Sequence, residues 1–136
     1  MYQKSIYVTT YCLLSLLVMG LSYAEEKTEQ TDLRLLITGN TVEGKIIKSN
    51  TRYKMYFHPS GKLVRHDSKA KVEKGDWIIS KKHDLCIKFA EEKCHTGKKR
   101  GDGEFDLYSA NGELIFTIDK VILGNPNKYD ALTGKN

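Results

Sequence analysis

Gly75 to Thr96 reads GDWIISKKHDLCIKFAEEKCHT and holds the only tryptophan of the chain and two of its three cysteines. Two runs of apolar and β-branched residues, Trp77 to Ser80 and Leu85 to Phe89, are separated by the polar Lys81-Lys82-His83-Asp84. That is the pattern of a β-hairpin. A third run, Lys93 to Thr96, follows across Ala90-Glu91 and places Cys86 and Cys94 on neighbouring strands. A four-residue turn at Lys81 to Asp84 would pair Ile79 with Cys86 and Ile78 with Ile87. Trp77, Ile79, Cys86 and Cys94 would then share one face, and Ile78, Leu85, Ile87 and Phe89 the other. A one-residue slip would exchange the two faces, because side chains alternate along a strand. Trp77 is the expected core anchor.

The same punctuation continues on both sides of the hairpin. Strands are predicted near Val42 to Ile47, Arg52 to Phe57, Lys62 to His66, Asp76 to Ser80, Leu85 to Phe89, Lys93 to Thr96, Glu104 to Tyr108 and Glu113 to Ile122. Pro59-Ser60-Gly61 presets a turn and supplies a positive φ, and Asn111-Gly112 between apolar runs is a strong hairpin signal. Leu114, Phe116 and Ile118 alternate with Ile115 and Thr117, so the interior is expected to draw on Leu114, Phe116, Ile118, Phe105, Leu107, Tyr53, Met55 and Phe57. The fold class is therefore mainly β, an antiparallel meander of about eight short strands that curls into a small barrel or a sandwich. One short helix precedes it. Thr31 offers an N-cap oxygen, Asp32 suits the positive end, and Leu33, Leu36 and Ile37 fall on one face before Gly39-Asn40.

Lys4, an apolar run from Tyr11 to Leu21 and Ser22-Tyr23-Ala24 ahead of Glu25-Glu26 form the pattern of a cleavable signal peptide over residues 1–24. The run is short for a bilayer span of about 20 residues, so no transmembrane segment is expected in the mature chain. Residues 25–31 (EEKTEQT) read as a flexible lead-in, 32–124 as the β domain, and 125–136, with Pro126 and no apolar period, as a flexible tail. The mature chain of about 112 residues suits one domain with one core.

Export bears on the cysteines. Cys12 leaves with the signal peptide, and Cys86 and Cys94 remain as an even pair in a compartment where disulfides persist. Closing a loop of that size is worth about 2.5 kcal/mol in the chain-entropy model. His83, Cys86, Cys94 and His95 also have the residue types of a zinc site, but not the spacing of a finger or ribbon. A haem attachment at Cys94-His95 is excluded because Glu91 stands where its first cysteine would be. No metal or other cofactor is assigned.

The formal net charge is +5. In an exported protein that balance points to an anionic envelope component or small ligand rather than to nucleic acid, with a protein partner as a further candidate. Lys62 and Arg65 lie in one basic segment, and Lys93, Lys98, Lys99 and Arg100 in another. Adjoining, these six would form a patch for an anionic partner, with Gly97 to Gly103 as a basic loop. The serines form no Gly-x-Ser-x-Gly elbow, and the glycines form no phosphate-binding loop ahead of a helix. His58 and His66 flank the Pro59-Ser60-Gly61 turn without an accompanying carboxylate pair or nucleophile.

Leu36-Ile37-Thr38-Gly39-Asn40-Thr41 with Gly44, Tyr53 to Phe57 with Gly61, Gly75-x-Trp77, and Leu85-Cys86 with Cys94 together resemble a group of small exported bacterial domains of unknown function. The resemblance covers roughly Leu33 to Asn125 and implies an exported, cysteine-paired β-rich domain. It carries no catalytic residues. The expectation is a non-catalytic binding or envelope-associated module, periplasmic or extracellular. The alternatives are a secreted enzyme inhibitor and a small enzyme using His58 or His66.

Overall fold

A computed structural model describes residues 33–132. The segment read as a signal peptide, the lead-in, Thr31, Asp32 and residues 133–136 lie outside the described residues.

One short helix, α1 (residues 33–37), leads into eight antiparallel strands. These are β1 (Thr41–Ile46), β2 (Thr51–Phe57), β3 (Lys62–Asp67), β4 (Val72–Ile79), β5 (Leu85–Lys88), β6 (Glu92–Gly101), β7 (Glu104–Tyr108) and β8 (Leu114–Ile122). Each pairs with the next, and β8 returns to β1, so the sheet is a closed barrel and not a sandwich. Closure leaves no edge strand to template association. Alternation then decides the inside. Val42, Tyr53, Met55, Phe57, Leu63, Leu85, Ile87, Phe105, Leu107, Phe116 and Ile118 form one buried cluster. Every interior residue expected from the sequence is in it except Leu114, which is half-buried.

The helix stoppers one end of this barrel. Leu33 and Ile37 are buried in the same cluster, and Leu36 packs against it. Gly97 of β6 makes room for Leu33, since a side chain there would collide with its methyl group. Trp77 closes the same end, edge-on to Phe57 at 5.4 Å and donating its indole N–H to the His58 carbonyl at 2.9 Å.

The central hairpin departs from the expected register. Ser80 and Asp84 are joined by a backbone hydrogen bond, and His83 adopts a φ of 67°, which leaves a three-residue turn, Lys81-Lys82-His83. An odd turn length slips the pairing by one residue from that of a four-residue turn: Trp77 faces Ile87, Ile78 faces Cys86 and Ile79 faces Leu85. Trp77, Ile79, Leu85 and Ile87 therefore belong to the interior cluster. Ile78, Cys86 and Cys94 share the outer face, where Ile78 is 58% exposed. The same turn geometry recurs at Pro59-Ser60-Gly61, Ser68-Lys69-Ala70 and Ala110-Asn111-Gly112, whose last residues have φ values of 90°, 62° and 79°.

Two further segments differ from expectation. Gly97 to Arg100 is not a loop but the second half of β6, paired with β7 and ended by a tight turn at Asp102-Gly103. Outward Lys98 lies over the Tyr108 ring, and Arg100 bonds Asp106 and Asp119, which gives the basic run its cross-strand partners. Residues 125–132, read as a flexible tail, lie along the outside of β2 and β3. Tyr129 stacks on His66 at 4.0 Å, and Ala131 is buried with Tyr56 and Val64. Asn125 holds this strap by exchanging two hydrogen bonds with the Tyr129 backbone.

Candidate functional site: the open mouth of the barrel

The end opposite α1 contains a cavity of about 330 Å³. Its walls are largely apolar: Ile46, Met55, Ile87, Phe89, Ile115 and Phe116, with polar Tyr53, Arg65, Glu91, Lys93 and His95 among them. Volume and lining fall in the range of sites that take one small ligand.

Register explains why charged groups are found here. Arg65 lies opposite Met55 on β2 and Glu73 on β4, on the inward face of β3 two residues beyond Leu63. Its guanidinium is hydrogen-bonded to the Glu73 carboxylate and lies over the Phe89 ring, 4.5 Å from the centroid. Lys71 also reaches Glu73, at 2.9 Å. Burial works against ionisation of Glu73, but the bonds from Lys71 and Arg65 outweigh it and hold the carboxyl below its ordinary range. Lys93 pairs with Ile87, which puts it on the inward face of β6 at the rim.

His95 comes next on that face, opposite Leu85. It is 7% exposed, packs edge-on to Phe116 at 5.1 Å, and its buried Nδ1 meets no hydrogen-bond partner. Burial, reinforced by Lys93 and opposed by Asp84, pushes its pKa down, so the ring is neutral at pH 7. The buried Tyr53 is pushed the other way, by burial and then by Asp119, with Arg65 opposing. Its hydroxyl stays protonated and donates to the Thr117 carbonyl at 2.7 Å.

Of the six basic residues singled out in the sequence, the fold brings Arg65 and Lys93 to this mouth. Lys62 lies at the other end of β3, bound to Asp76 at 2.5 Å. Lys98, Lys99 and Arg100 continue β6 past Gly97 and away from the mouth. Cys86 and Cys94 are directly opposite one another and joined as a disulfide, which takes both thiols from any zinc site. Among the described residues no three His, Cys, Asp or Glu side chains are grouped to hold a metal ion. His58 and His66 are separated: His58 Nδ1 caps its own turn through Ser60, while His66 lies outside β3 under Tyr129. From sequence alone, His95 is a candidate only for a metal or haem ligand. Its place on the inward face follows from β6 pairing with β5, in the register that carries the disulfide.

No protein-family model matches the chain, and no curated protein matches it in sequence. Among the described residues no helix is long and apolar enough to cross a membrane.

Proposed function

We propose that the protein is an exported, non-catalytic binding module that takes a small ligand with an apolar body and an anionic group into the mouth of its barrel. The observation that carries this reading is the convergence of Arg65 and Lys93 on a cavity whose walls are otherwise mostly apolar. An apolar body gains by leaving water for walls such as Met55, Ile87 and Phe116, and a guanidinium is a planar, permanently charged donor for an anion. The Cys86–Cys94 disulfide and the signal-peptide pattern support export to the periplasm or beyond. Kinship with the small exported β-rich domains that the Gly-Asn-Thr opening and Gly-x-Trp resemble belongs to the same proposal.

The test is fluorescence titration with 1-anilinonaphthalene-8-sulfonate, an apolar anion that brightens on leaving water. Saturable one-to-one binding is expected. Replacing Arg65→Met together with Glu73→Gln, so that no interior charge is stranded, should weaken it about tenfold or more, the worth of a charge-assisted hydrogen bond. Binding that survives this change but disappears when Lys98, Lys99 and Arg100 are neutralised would place the anion site elsewhere.

A further inference from the structure

Among the described residues, His95 Nδ1 is the one buried side-chain nitrogen or oxygen with no hydrogen-bond partner. Leaving such a group unsatisfied costs about 1–3 kcal/mol. Nδ1 itself has no accessible surface; it is the remainder of the ring that lines the cavity, beside Arg65 and Lys93.

We propose that His95 is a ligand-contacting residue of this cavity and that the occupant's anionic group is a carboxylate, which His95 meets while gaining a proton from solvent. The inference rests on the cavity being a binding site. A carboxylate fits better than a phosphate because Arg65 is already shared with Glu73, and Glu91 stands at the rim, so the site favours one incoming negative charge over two.

The coupling follows from the charges that face the ring. Lys93 lies on the same strand, Arg65 and Glu91 line the same cavity, Lys48 and Glu113 line the adjoining hollow, and Asp84 acts from just ahead of β5. Without an occupant, burial and Lys93 keep the imidazole neutral. A carboxylate against the ring supplies the missing negative charge, and the imidazolium becomes the favoured form. One proton is bound, no covalent bond changes, and ligand uptake strengthens as pH falls.

The experiment is calorimetric titration of the protein with octanoate near pH 7 in buffers of different ionisation enthalpy, with octanol as the uncharged control. Proton uptake approaching one per octanoate is expected, with none for octanol, and octanoate affinity should be about tenfold greater at pH 6 than at pH 8. His95→Gln keeps a hydrogen-bonding group but cannot gain the proton, so it should abolish both the uptake and the pH dependence. In the unmodified protein the His95 ring resonance should titrate at higher pH with octanoate than without, which keeps the test open if the variant folds poorly. Octanoate binding without proton uptake, or uptake that persists in His95→Gln, overturns this inference and leaves the binding site standing. Failure of both octanoate and the anilinonaphthalene sulfonate to bind overturns both.

Discussion

The phenol of Tyr53 passes over Gly44, its partner on β1, to reach the Thr117 carbonyl on β8. Gly44 has no room for a side chain: a Cβ would overlap that same carbonyl and stand 2.9 Å from the Tyr53 hydroxyl. This is the seam where the barrel closes, and the pairing shifts there because Asp119 is an extra residue on β8. A bulge bends the strand so that the first and last strands can meet. Gly44→Ala should therefore force β1 from β8 and cost roughly 3 kcal/mol or more, whereas Tyr53→Phe should cost about 1 kcal/mol for a single hydrogen bond. Urea unfolding of the two variants checks the order.

The hairpin register gives a second prediction. Ile78 is on the outside and Leu85 is wholly buried. Ile78→Thr should change stability by no more than about 0.5 kcal/mol, while Leu85→Ala should lose about 2–5 kcal/mol as the core is opened. Equal losses would restore the register of a four-residue turn.

The third concerns a turn. Ala70 closes the β3–β4 turn at a φ of 62°, where a Cβ is strained and glycine is not. Ala70→Gly should raise stability by about 1 kcal/mol, read as a higher urea midpoint at an unchanged slope.

Most of the fold was legible because turn chemistry and strand alternation are local signals. Pro59-Ser60-Gly61 and Asn111-Gly112 mark two hairpins, and the Phe105, Leu107, Phe116, Ile118 pattern marks the inner wall. The register of the central hairpin was not legible, because both of its faces are apolar and only the positive φ of His83 separates a three-residue from a four-residue turn. Nor was the site. Arg65 and Lys93 are 28 residues apart and converge only because two strands lie between theirs in the barrel. The rest of the basic residues looked similar in sequence, yet Lys62 and Arg100 lie elsewhere beside acidic neighbours.

The disulfide should act as a staple and not as part of the site. It lies on the outer face of β5 and β6, away from the interior positions Ile87 and His95. Reduction should cost about 2.5 kcal/mol of stability, seen as a lower melting temperature, with affinity for the anilinonaphthalene sulfonate unchanged at temperatures where the protein stays folded.

The depressed His95 pKa makes a prediction about pH. Unfolded, this residue would titrate near 6.5; folded, it titrates lower, so between the two values the unfolded chain holds more protons. Its contribution to stability is complete above about pH 6.5 and is lost as pH falls towards the folded value. His66, whose pKa is also lowered by burial, adds in the same direction. The melting temperature should fall from pH 7.5 to pH 5.5, and His95→Gln should remove part of that fall.

The mouth as binding site is tested most directly by recording amide chemical shifts while octanoate is titrated into the isotope-labelled protein. The largest changes should fall on Met55, Arg65, Ile87, Lys93, His95 and Phe116, the residues that line the cavity. Changes confined to Lys98 to Gly103, or none at saturating octanoate, would contradict a ligand site in the barrel mouth.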